Sequence, residues 1–209
     1  MAQHRDTQHR DVAAFELRAG RYERGWLGRL HHDIADHTAA LAGDLDPRTI
    51  LDVGCGPGYL LRLLAGKFPE AERLAGLDAA PAMVEQATAA IPADEHRLTF
   101  TVGRAERLPF PDRVFDLVVS TTSFDHWTDQ PAGLRECARV LTPGGNLILA
   151  DLFSPLLIPT QTGSRRHKAR TRSRATRLLT AAGFTAISWH HLAPLISAAA
   201  AALPEEPHP

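Results

Sequence analysis

The stretch Ile50-Leu51-Asp52-Val53-Gly54-Cys55-Gly56-Pro57-Gly58 sets one carboxylate in an apolar run and follows it with glycine at alternate positions. Such a bare loop lets a ligand lie against the main chain, and Gly54 and Gly56 accept φ angles that other residues resist. The helix opening after it offers unpaired N–H groups to a ligand's negative end. Asp52 is poorly placed for a pyrophosphate and suits an ammonium group. A second acid, Asp78, closes the next apolar run at the spacing, about 20 residues after the glycines, of an acid that accepts from ribose hydroxyls. Two phosphate motifs are disfavoured. Tyr59 stands where a nicotinamide fingerprint needs its third glycine, and no Gly-Lys-Ser/Thr follows for a Walker loop.

These residues need strands and helices to hold them. From Ala13 to about Ala42, Tyr22, Trp26, Leu30 and Ile34 recur every four residues, an amphipathic helix that Gly20, Gly25 and Gly28 weaken or divide. After Pro47, short apolar runs alternate with helical segments at 59–68, 81–90 and 131–141. That alternation builds βαβ units into an α/β, doubly wound, Rossmann-like sheet of about seven strands, mostly parallel, with helices on both faces. The final stretch predicts a helix end at Gly183 and a C-terminal antiparallel hairpin. The domain reading is a disordered tail over 1–12, a helical cap over 13–46, a core over 47–203 and a frayed tail over 204–209.

A ligand with an ammonium group, a ribose and no phosphate describes S-adenosylmethionine. The segments "ILDVGCGPGYLLRLLA", "GLDAAPAMVEQA", "VGRAERLPFPDRVFDLVVS" and "ECARVLTPGGNLILAD" follow one another as in class I S-adenosylmethionine-dependent methyltransferases. The chain resembles most the small-molecule group with the ubiquinone/menaquinone-biosynthesis enzymes. The resemblance implies that Asp52, Gly54, Cys55 and Gly56 hold the methionine part of the cofactor. It implies Asp78 for the ribose, Ala79 and Met83 against the adenine, and the Ala105 backbone at the adenine edge. Where this family carries Asp, the chain has Arg104, which cannot accept a hydrogen bond from the adenine amino group. Arg104 can stack on the ring, pair with Glu106, or face solvent.

The fourth run ends at Ser120, and the loop "TTSFDHWTDQP" should face the methyl group. Methyl transfer is an in-line displacement, so alignment does most of the work, supplying about 7–11 kcal/mol at best. His126 is the candidate general base, with Asp125 orienting it or touching the acceptor; capping the next helix or lining the pocket is the plainer role for His126. Trp127 is expected to pack under that helix. Tyr22 is set against the sulfonium, or else within the apolar stripe with Trp26. His31 and His32 reach toward the acceptor pocket. The pairs His32/Asp36 and Asp33/His37 have helical spacing for surface contacts or a metal. No metal is expected, because Asp151-Leu152-Phe153 lacks the clustered acids magnesium needs.

A formal net charge of −1 over 209 residues exerts no global pull on nucleic acid. The segment "RRHKARTRSRATR" would put Arg166, Arg170, Arg174 and Arg177 on one helical face, read as solvated, with RNA or an acidic partner the alternative. No apolar run reaches the roughly 20 residues of a membrane span. The polar start lacks a secretory signal's apolar middle. Two cysteines make no disulfide framework, so the expected setting is cytoplasmic. The expected activity is methyl transfer to a small organic acceptor. A cofactor-binding partner or regulator without transfer is the alternative.

Overall fold

The computed structural model describes residues 25–154 and 168–206. A seven-stranded sheet forms the middle layer, in the order β3-β2-β1-β4-β5-β7-β6. Its strands are β1 (Thr49–Val53), β2 (Arg73–Asp78), β3 (Leu98–Val102), β4 (Phe115–Thr121), β5 (Leu141–Leu152), β6 (Thr185–Ala193) and β7 (Ile196–Ala202). Strands β1 to β5 pair in parallel, while β7 runs antiparallel between β5 and β6. The doubly wound sheet and its closing hairpin are both present. The helices are α1 (Gly25–Leu41), α2 (Tyr59–Lys67), α3 (Pro81–Ala89), α4 (Gln130–Val140) and α5 (Arg172–Ala181).

Strands covered on both faces must be apolar throughout. Ile50, Leu51 and Val53 of β1 and Leu117, Val118 and Val119 of β4 are accordingly buried. Helices α1 and α2 cover one face with Ile34, Ala35, Leu60, Leu61 and Leu64. Helices α4 and α5 cover the other with Leu134, Cys137, Ala175 and Leu179. Each Leu or Ile among them contributes about 1.5–3 kcal/mol when fully buried. Side chains alternate along a strand, so Asp52 shares the α1/α2 face with Ile50, and Ser120 shares the α4/α5 face with Val118. The chain runs from β1 through β2 to β3 at one edge, then returns to β4 on the other side of β1. That reversal opens a crevice at the carboxyl ends of β1 and β4.

Local signals explain the boundaries. Asp129 caps α4 by accepting from the Ala132 N–H at 2.9 Å, with Pro131 in the first turn. Gly183, at φ 97°, turns the chain out of α5 where the glycine predicted it. Gly28 does not divide α1, which runs unbroken through it. The tail is held further than expected, since Pro204 accepts from the Gly144 N–H at 3.1 Å and Glu206 pairs with Arg113. Tyr22 and the rest of 1–24 lie outside the described residues, as do 155–167 and 207–209.

The Arg-rich segment corrects its expectation. Arg170 precedes α5, whose cap is Thr171, and is only 5% exposed. It therefore lies on no solvated helical face with Arg174 and Arg177. A long-range partner, Asp125, took it inside.

Candidate active site

A cavity lies at the carboxyl ends of β1, β2 and β4, lined among others by Gly54, Asp78, Met83, Ala105 and His126. A second lobe shares Gly54, Gly56, Thr121 and Thr122 with it and runs beneath α1 to His31 and Tyr59.

The glycine loop separates the lobes, and its hydrogen bonds point inward. The Gly54 and Cys55 N–H groups both donate to the Leu77 carbonyl, at 2.7 and 3.1 Å. The Gly56 N–H donates to Asp78 Oδ2 at 2.9 Å, and that of Gly58 to the Cys55 carbonyl at 3.0 Å. A phosphate cradle requires such donors to face the ligand. Here four of the loop's donors are already taken. The space is bare for another reason: a Cβ on Gly54 would sit 1.8 Å from Ser123 Oγ, and one on Gly56 would meet nothing within 4 Å.

Beneath this loop stands an unsatisfied carboxylate. Asp52 is 1% exposed, and its Oδ1 has no hydrogen-bond partner. Burial, helped by the charge of Asp78, pushes its pKa up to about 8. Burial also raises Asp78, against the opposing N–H bonds of Ala80 and Gly56. Asp78 lines the cavity, whereas Asp52 stays buried two residues before Gly54 and outside the lining of either lobe; a pair of buried carboxylates so close to a cavity asks for a cation. An ammonium-bearing, phosphate-free ligand answers that demand.

A family model described as a methyltransferase domain matches residues 51–149. The chain is 35% identical over 133 residues to the demethylmenaquinone methyltransferase of Deinococcus radiodurans, covering 64% of this chain and 52% of that protein. It is also 35% identical over 145 residues to the malonyl-[acyl-carrier protein] O-methyltransferase of Hahella chejuensis, covering 69% and 50%. Residues 51–149 are a methyltransferase domain of the class I S-adenosylmethionine-dependent type. It spans about half the length of these curated relatives. The fold is shared with a methyltransferase from Aquifex aeolicus at TM-score 0.73 and 18% identity, over 90% of this chain and 98% of that one.

The residues present fit the family's cofactor, S-adenosylmethionine. Asp52 has an unused acceptor for an ammonium group, and Asp78 faces the cavity beside Ala79 and Met83. Cys55 instead lines the second lobe, where burial pushes its thiol pKa well up. Ser120 does not reach the cavity lining; its buried Oγ sits without a partner on the opposite sheet face. Arg104 is exposed at the cavity edge. Glu106 Oε1 accepts the Thr128 and Asp129 N–H groups at 2.5 and 3.1 Å, tying the loop to the start of α4. Replacing Arg104 with Asp supplies an acceptor at this edge. Calorimetry should show cofactor affinity unchanged or tightened, and a tenfold loss would refute the reading.

His126 ends the 3-10 turn Phe124–His126 and lines the cavity; Asp129 is the residue that caps α4. Trp127 packs under α4 as expected, so closely that a Cβ on Gly133 would lie 2.4 Å from its ring. Asp125 departs from its expected role. Both its oxygens are taken by the Arg170 guanidinium, with Nε at 2.7 Å from Oδ1, and it does not line the cavity. His32 stacks on Tyr59 at 3.8 Å, and the Tyr59 hydroxyl donates to Asp36 at 3.1 Å. His37 Nδ1 lies 2.6 Å from the Asp33 carbonyl. These are pairings on the α1 surface. His31 lines the second lobe, its pKa lowered by burial and then by His32.

Sequence reasoning placed the loop after the fourth run at the site but did not single out Thr122, which lines both lobes, or Ser123, which lines the first. Thr122 adopts φ 50°, rare for a β-branched residue. No spacing announces Ser123, whose Oγ occupies the space beside Gly54.

Proposed function

We propose that this protein transfers the methyl group of S-adenosylmethionine to a small organic acceptor at the junction of the two lobes. The unpartnered, buried Asp52 carboxylate beside a loop whose N–H groups are turned inward carries the reading. It favours a ligand with a positive end and disfavours one with a pyrophosphate. When bound, the cofactor supplies an electrophilic methyl on its sulfonium. Asp52 and the Gly54–Gly56 main chain hold the methionine portion, and Asp78 accepts from the ribose. Met83, Ala79 and Ala105 enclose the adenine, and Trp127 keeps water out. His126 takes a proton from the acceptor.

The two relatives named above differ in acceptor, demethylmenaquinone for one and malonyl-[acyl-carrier protein] for the other, so local residues must set the acceptor. Nucleic acid is not part of this reading, because Arg170 is withdrawn into the protein. Two buried free thiols suit a cytoplasmic setting. No helix among the described residues is long and apolar enough to cross a membrane. We take residues 13–203 as one methyltransferase domain, with 13–46 as its cap.

Calorimetry should show one S-adenosylmethionine bound per chain and no binding of NADH. Saturable NADH binding without S-adenosylmethionine binding would overturn the proposal. Labelled methyl should then pass from the cofactor into a metabolite fraction, and its failure to reach any acceptor would point to a binding protein without transfer. With the acceptor found, His126→Ala should lower kcat about a hundredfold, the usual scale of general-base removal. Intact turnover would remove His126 from the mechanism.

A further inference from the structure

The turn that carries His126 and Trp127 into the cavity is gripped from behind by residues 168–170. The Lys168 ammonium donates to the Trp127 carbonyl. The Ala169 N–H donates to Gln130 Oε1 at 2.7 Å, and Gln130 Nε2 donates in turn to the Phe124 carbonyl at 3.0 Å. Arg170 forks onto Asp125 through Nε and a terminal nitrogen, with side chains 6% and 9% exposed. The Asp125 N–H is anchored separately, to Asp151 Oδ2 at 3.0 Å. Three successive residues thus bind three positions, 125, 127 and 130, some forty residues earlier in the chain, and Gln130 passes the contact on to Phe124. On the other side, Trp127 Nε1 donates to Ser123 Oγ at 3.1 Å, the atom that borders Gly54.

A buried ion pair is weak evidence for stability, because the desolvation of both charges offsets their attraction. Its better-attested use is to select one arrangement. The arrangement selected here is the orientation of a cavity wall. We propose that Arg170 is a positioning residue for the His126–Trp127 wall, acting through Asp125, and that residues 168–170 and the cofactor cavity are energetically coupled. The proposal rests on the cofactor reading above. A fork is needed because it fixes both the angle and the distance of the Asp125 carboxylate. Linkage then requires reciprocity: what steadies the wall from behind tightens the ligand in front, and the ligand steadies the strap.

S-adenosylhomocysteine is the probe, with calorimetry for affinity, the Trp127 indole N–H resonance for the wall, and hydrogen exchange at the Ala169 amide for the strap. Arg170→Met should weaken binding about tenfold and shift the indole resonance, and Arg170→Lys should recover part of both because it keeps a charge on Asp125. Arg170→Met leaves Asp125 buried without its partner and can fail to fold. Arg170→Met combined with Asp125→Asn removes that charge, and should regain thermal stability while affinity stays low. The probe should slow Ala169 exchange in the wild-type protein. Wild-type affinity and an unmoved indole resonance in the folded double variant would overturn the positioning role. Unchanged Ala169 exchange on saturation would overturn the coupling. A wild-type protein that binds no probe would instead bring down the cofactor reading, and this proposal with it.

Discussion

Asp52→Asn should stabilise the ligand-free protein at pH 8 and weaken S-adenosylmethionine binding by at least about a hundredfold, or ~2.7 kcal/mol. Both effects have one origin. In the folded, empty protein Asp52 holds its proton up to about pH 8, whereas in the unfolded chain it loses it near 3.8, the ordinary value for an aspartate. Between those values the folded state binds one more proton than the unfolded state, so stability falls as pH rises through the window and levels off above it. Asparagine has no proton to lose and escapes that penalty. The Tm at pH 8 should rise by at least about 3 °C, while the difference vanishes near pH 4.

Binding runs the other way. A ligand with an ammonium group needs the ionised carboxylate, so binding at pH 7 must expel the Asp52 proton. Wild-type affinity should rise with pH between 6 and 8, by up to about tenfold per unit. Calorimetry in buffers of different ionisation enthalpy should count close to one proton released, and none for Asp52→Asn. A wild-type affinity flat over that range, with no proton released, would remove Asp52 from the ammonium site.

Gly54→Ala should be the most damaging single-methyl change in the site, costing about 3 kcal/mol or more of stability and eliminating measurable cofactor binding. Two penalties combine. The new Cβ would fall 2.4 Å from Ser123 Cβ and 1.8 Å from its Oγ. The backbone would also keep φ 79°, a conformation that costs an L-residue roughly 1–2 kcal/mol. Ser123→Gly removes both clashing atoms, and the next nearest atom, Ser123 Cα, lies 3.8 Å away. The double variant should therefore recover the steric part and retain the backbone part. A thermal-unfolding cycle on the four proteins separates them, and strictly additive effects would show that the two residues do not meet as described. Gly56→Ala offers a contrast. Its Cβ meets nothing within 4 Å, so at φ 50° it should cost the fold only the backbone part.

Much of this site was legible before any coordinates. The apolar runs at 50–53, 74–77 and 115–120 had to be strands covered on both faces, because few polar side chains interrupt them: Asp52, Asp116 and Ser120. Their alternation with helical segments dictated a parallel doubly wound sheet, and such a sheet places its strand ends around one crevice. Asp52, Gly54, Gly56 and Asp78 followed, since local chain order sets them at those ends. What was misread depends on distant partners. Arg170 read as one of a row of solvated arginines, because helical spacing alone cannot announce a carboxylate 45 positions away. Asp125 read as the companion of His126 because they are neighbours in sequence, yet the 3-10 turn sends one side chain to Arg170 and the other into the cavity.

The sequence by itself determined the sheet, the glycine loop, its two acids and the family, because each depends on residues close together or on a repeated pattern of apolar and polar types. Only the tertiary structure decided that the loop's N–H groups turn inward, that Ser123 occupies the space a Gly54 side chain would need, and that residues 168–170 brace the far wall. Those outcomes depend on which separate segments come to share a few ångströms, and close packing, unlike periodicity, leaves no record along the chain.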